Sequence, residues 1–141
     1  MFTPKKTKYK KYQKKLTNNK IVKSICFKDV FTKKHLVVAL ESCRLSSNLL
    51  EMSRVNLKRH LKKTVKIIIP IFAHDPVTKK PNENRMGKGK GSVSHWIKKI
   101  KPGTVLFEFY GGSTSKITKV LSRLQYKFPI KYKYVRKNEN Y

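Results

Sequence analysis

"SKITKVLSRLQYKFPIKYKYV", residues 115–135, changes its apolar period partway along. Ile117, Val120, Leu121, Leu124 and Phe128 recur at spacings that place them on one face of a helix. Pro129 stops that helix, and beyond it Ile130, Tyr132 and Tyr134 alternate with basic residues, which is the period of a strand. Ser113 or Ser115 can cap the helix start. An amphipathic helix running straight into a half-apolar strand predicts a helix packed on a sheet.

Upstream, "SVSHWIKKI" (92–100) and "TVLFEFYGG" (104–112) both read as strands, with "KPG" between them as a tight turn. This predicts a β-hairpin with Val105, Phe107 and Phe109 on one face and Leu106, Glu108 and Tyr110 on the other. Further upstream, "LSSNLLEMSRVNLKRHLKK" (45–63) reads as a second helix, capped by Ser46 or Ser47. Its stripe is Leu50, Leu57 and Leu61, and Arg59, His60, Lys62 and Lys63 fall at its end, where cations favour the helix dipole. Arg54 projects close to the stripe, in a position for phosphate contact or for snorkelling. Strands are also expected at "IVKSICFKDVF" (21–31), "HLVVAL" (35–40) and "TVKIIIPIF" (64–72), where Pro70 marks a bulge or a sheet edge. The class is α+β: a compact two-helix domain on a mixed or antiparallel sheet.

Charge dominates the composition. The 141 residues carry 35 Lys plus Arg against 7 Asp plus Glu, a net +28 at pH 7. Self-repulsion of that size destabilises a small compact domain unless a polyanion supplies counter-charge. A nucleic acid is the partner this implies. The longest apolar runs fall well short of the roughly 20 residues that span a bilayer, so no membrane span is expected. Residues 1–20, "MFTPKKTKYKKYQKKLTNNK", form a basic N-terminal extension with too few apolar groups for a core, preceding one domain over 21–141. In the extension, Lys5, Lys6, Lys8, Lys10 and Lys11 can neutralise phosphates, while Tyr9 can stack on a base.

Residues 73–91, "AHDPVTKKPNENRMGKGKG", read as a long loop. Its glycine–lysine end fails both nucleotide motifs. Five residues before Gly87 and Gly89 stand Asn82 and Asn84, so there is no Walker A loop, and G-x-G-x-G is not a dinucleotide fingerprint. A strand, rather than a helix N-terminus, follows it. Gly87, Gly89 and Gly91 remove alternate Cβ atoms and allow close approach to another surface, while Arg85, Lys88 and Lys90 supply charge for phosphates. Carboxylates are sparse and isolated, and the chain is not expected to be an enzyme. Cys26 and Cys43 lack the companions of a zinc site and read as free thiols, so neither metal nor cofactor is expected. No small-molecule substrate is expected either.

At "KPNENRMGKGKGSVSHWIKKIKPGTVLFEF" (80–109) the chain strongly resembles the signature of the bacterial and organellar large-subunit ribosomal protein L16 family. Arg85 to Gly91, Trp96, Pro102 and Gly103 carry the match, and the opening "MFTPKKTKYKKYQK" and the closing "FPIK" extend it over nearly the whole chain. The resemblance implies a domain docked on large-subunit rRNA beside the aminoacyl-tRNA site, with the glycine–lysine loop toward A-site tRNA and with neighbouring ribosomal proteins. It also implies a part in late subunit assembly, the chemistry of peptide transfer belonging to RNA. Under it, the tail lysines with Tyr9, then Arg54, Arg59, Arg85 and the residues from Gly87 to Gly91 are the expected RNA contacts. The opening aligns with the family's mature start, so no cleaved presequence is expected. With the lysine-, asparagine- and isoleucine-rich usage of an AT-rich genome, this points to an organelle-encoded mitochondrial protein, with plastid or bacterial origin as the alternative. A free basic nucleic-acid-binding or RNA-chaperone protein is the competing functional class.

Overall fold

The computed structural model describes residues 3–13, 34–61 and 65–136. The strand expected over 21–31, Cys26, and Lys62 and Lys63 of the first helix lie outside them. In chain order the elements are β1 (Lys34–Ala39), β2 (Cys43–Ser46), α1 (Ser47–Leu61), β3 (Lys66–Ile68), β4 (Asp75–Lys79), β5 (Ser92–Ile100), β6 (Val105–Tyr110), α2 (Thr114–Gln125) and β7 (Tyr132–Arg136). The α+β class is as the sequence predicts. Its strands divide into two antiparallel sheets, β3-β6-β1-β7 and β2-β5-β4.

The helices form where the apolar spacing places them. Ser46 caps α1, its hydroxyl accepting from the Leu49 amide at 3.3 Å, and Leu50, Leu57 and Leu61 are buried. Ser53 is also buried and satisfies its hydroxyl on the Leu49 carbonyl at 2.7 Å. In α2, Ser113 occupies the cap position without a side-chain cap bond, and Ile117, Leu121 and Leu124 are buried. The helix ends at Gln125, ahead of Pro129, and Phe128 is carried into the core by the following turn. The two helices and both sheets share one core, in which Phe107 stands 5.7 Å from Phe128 and 6.5 Å from Phe109, ring centre to ring centre. β3 ends at Ile68, before Pro70, and is an edge strand.

Two expectations need correction. The "KPG" turn does not close a hairpin, because β5 pairs with β2 and β4 while β6 pairs with β1 and β3. Gly103 has φ +86°, and the Thr104 amide donates to the Lys101 carbonyl at 3.2 Å. With Pro102 before it, this has the hallmarks of a type II turn, whose twist splays strands instead of pairing them. The end of β1 captures the departing chain, with Gly103 N–H on Ala39 O at 2.8 Å and Ala39 N–H on Thr104 O at 2.9 Å. The turn moves the chain from one sheet to the other.

The loop expected over 73–91 is also shorter than predicted, because Asp75–Lys79 forms β4. Its Asp, Pro and Lys are poor strand formers, which hid it. β4 is an edge strand, where Pro76 is tolerated opposite Trp96.

In the four-stranded sheet, buried His35 stacks on Tyr134 at 5.8 Å, and the Tyr134 hydroxyl lies 2.5 Å from His35 Nδ1. Burial, and then the Arg136 charge, lower the imidazole's pKa from 6.5. Below about pH 6.5 the unfolded chain therefore binds more protons here, and stability from this group is lost as the pH falls from that value through the lowered folded-state pKa. The urea midpoint should drop on acidification below pH 6.5, and it should drop less in His35→Gln. Equal slopes in the two proteins would contradict this.

Candidate nucleic-acid interface

β4 and β5 form the stem of the glycine–lysine loop, their ladder ending at Lys79 opposite Ser92. Beyond the stem every residue from Lys80 to Lys90 is exposed, including Arg85. The chain turns once at Pro81–Asn84, with Asn84 N–H on Pro81 O at 3.2 Å, and the Lys80 ammonium donates to the Gly87 carbonyl at 2.7 Å. Gly87, Lys88 and Gly89 all have positive φ, at +95°, +53° and +73°. Among the described residues Lys88 is the sole non-glycine in that region. A lysine held there costs about 1–2 kcal/mol.

The three glycines serve two purposes. Gly87 and Gly89 supply left-handed backbone in open space, since a Cβ at either would meet nothing within 4 Å. Gly91 lies against the stem, where a Cβ would be 2.6 Å from the Lys79 carbonyl oxygen. Trp96, on β5 below the loop, is half-buried and packs against the core.

The tail residues 3–13 run without helix or strand, and Lys5, Lys6, Lys8, Lys10, Lys11 and Tyr9 are exposed. The fold brings this tail to the loop. The Lys11 ammonium donates to the Lys90 carbonyl at 2.7 Å, and the Lys90 ammonium donates to the Tyr12 carbonyl. Each lysine grips the other segment's backbone while keeping its charge, so two basic segments far apart in sequence form one cationic edge. Two carboxylates are paired away from it, Glu51 with Arg54 at 2.6 Å and Glu41 with Lys131 at 3.1 Å, while Asp75 and Glu83 lie beside the cationic edge and are outnumbered by its lysines and Arg85.

Arg54 and Arg59 lie on α1. Arg59 is exposed in the last turn. Arg54 is 41% exposed and bound to Glu51 through Nε and Nη2, an (i, i+3) pair that neither sequence reading of Arg54 included. The Arg54 hydrogen bonds hold the Glu51 carboxyl below its usual range. Lys80 was another omission, and its spacing to Gly87 gave no signal. Among the described residues no group of three or more His, Cys, Asp or Glu could hold a metal, and no helix is long and apolar enough to cross a membrane. Cys43 is a half-buried free thiol.

The comparison with known families agrees with the resemblance read from the loop motif. The family described as ribosomal protein L16p/L10e matches residues 4–135, which takes in the tail, both sheets and the glycine–lysine loop. The chain belongs to this family of ribosomal proteins, and its role is that of a structural component of the large ribosomal subunit.

Proposed function

We propose that the chain binds large-subunit rRNA through the edge formed by tail and loop, with Arg85, Lys88 and Lys90 directed toward A-site tRNA. Lys5, Lys6, Lys8, Lys10 and Lys11 extend the phosphate contacts, Tyr9 adds a ring, and Arg59 with Arg54 marks a second point of attachment on α1. Arg54 then shares its guanidinium between Glu51 and a phosphate. Gly87, Gly89 and Gly91 shape the backbone that presents the lysines. The basic extension over 1–20 and the domain over 21–141 act together, ordering RNA in late assembly and during translation. The mitochondrial ribosome is the proposed residence, on codon-bias grounds, with plastid or bacterial ribosomes as the alternative. Neighbouring ribosomal proteins are further partners, and no catalytic role is assigned.

The observation that carries this reading is the reciprocal Lys11–Lys90 clasp, which brings the basic tail and the basic loop together on one edge. Each phosphate neutralised contributes about 0.7–0.9 to the slope of log affinity against log salt. Replacing Lys88 and Lys90 together by alanine should lower that slope by about 1.5 on a large-subunit rRNA fragment. An unchanged slope would exclude the loop from the interface.

A further inference from the structure

The tail does more than lie beside the loop: it roofs a cavity of about 600 Å³ against the three-stranded sheet. That volume falls in the range of sites for small organic groups. Pro76, Val77 and Ile97 contribute apolar surface, and Lys11, Lys90 and Arg44 contribute cations. Tyr12, 39% exposed, brings an aromatic ring to the same cavity. Tyr9 lines it too, but the Lys8 ammonium lies 5.5 Å over its ring, so stacking falls to Tyr12.

This combination distinguishes among anions. An inorganic phosphate would use the cations and leave the apolar surface and ring without a partner. A nucleotide unit uses all of them, its base between Tyr12 and the Val77 region and its phosphate near Lys11, Lys90 and Arg44. Asp75, also in the lining, repels a bare polyanion and can accept from a base N–H. Accordingly, we infer that the cavity between tail and sheet receives one unpaired nucleotide extruded from folded RNA. This rests on the RNA-binding reading above and specifies what that edge recognises. Paired bases cannot enter, because their faces are already stacked within the helix.

The test uses the full chain and a short RNA duplex bearing one unpaired 2-aminopurine nucleotide, with a fully paired duplex of equal length as the comparison. The bulged RNA should bind roughly tenfold more tightly than the paired one, and the 2-aminopurine fluorescence should be quenched on binding. Tyr12→Ala should abolish the preference while leaving the affinity for paired RNA. Val77→Trp, which fills the cavity from the sheet side and leaves the tail intact, should do the same. Equal affinity for the two RNAs would overturn this inference and leave the RNA-binding reading standing. Failure to bind either RNA would overturn both. Competition by a free nucleoside 5′-monophosphate at concentrations matching the bulged RNA would assign the cavity to a free nucleotide and overturn the RNA assignment.

Discussion

Phe107→Ala is expected to bring the free chain close to its unfolding midpoint at room temperature. Phe107 has no exposed surface, faces Val37 across β6 and β1, and packs its ring near Phe109 and Phe128. It thereby joins the four-stranded sheet to the segment that follows α2. Truncating a buried phenylalanine removes about 3–5 kcal/mol through lost transfer energy and the cavity left behind. Domains of this size have about 5–15 kcal/mol in total. A net charge of +28 sets this chain toward the lower end in the absence of polyanion. Urea unfolding followed by circular dichroism checks it: the midpoint should fall toward zero denaturant, while Phe107→Leu should fall only modestly. Added RNA should recover part of the loss, because a ligand of the folded state stabilises it by mass action. A Phe107→Ala midpoint close to the parent's would remove Phe107 from the centre of the core.

Gly91→Ala should disrupt the stem of the loop, out of proportion to the single methyl added. The new Cβ would lie 2.6 Å from Lys79 O, 2.8 Å from Lys79 C and 2.9 Å from Lys80 N. All three are backbone atoms at the end of β4, so no flexible side chain can move aside. β4 must part from β5 or the loop must leave its path, at a cost of about 1–3 kcal/mol. Gly89→Ala is the informative comparison, because its Cβ meets nothing within 4 Å and only the φ of +73° resists it. Amide exchange in β4 and β5 should accelerate in Gly91→Ala and change little in Gly89→Ala. Equal protection in the two variants would show that the stem tolerates a Cβ at Gly91.

Much of the fold was legible because single segments carry it. Ile117, Leu121 and Leu124 define the buried face of α2 by their spacing alone, and Ser46 announces the start of α1. What escaped depends on partners distant in sequence or on turn geometry. β4 has weak strand chemistry and exists because β5 offers it an edge. The sheet switch after β5 was readable in principle, since Pro102 and Gly103 specify a turn that splays strands. The Glu51–Arg54 pair was likewise readable from its (i, i+3) spacing.

The site divides the same way. The loop's lysines and glycines stood out as a motif, together with its failure to match any nucleotide-binding pattern. The separate purpose of Gly91 appeared only with Lys79 beside it. The tail–loop clasp left no trace in the sequence, because Lys11 and Lys90 bind carbonyl oxygens that every residue possesses. Two cations meeting without a carboxylate between them is not a pairing that charge patterns can predict.

The central claim is that the tail–loop edge holds this protein on large-subunit RNA. Gradient sedimentation of lysate from cells in which the chain or a variant replaces the native protein tests it most directly. The parent chain should travel with the large subunit at moderate salt, and a chain with Arg85, Lys88 and Lys90 replaced by alanine should leave that fraction at lower salt than the parent. Identical retention of the two chains across the salt series would contradict the account, as would absence of the parent chain from the large-subunit fraction.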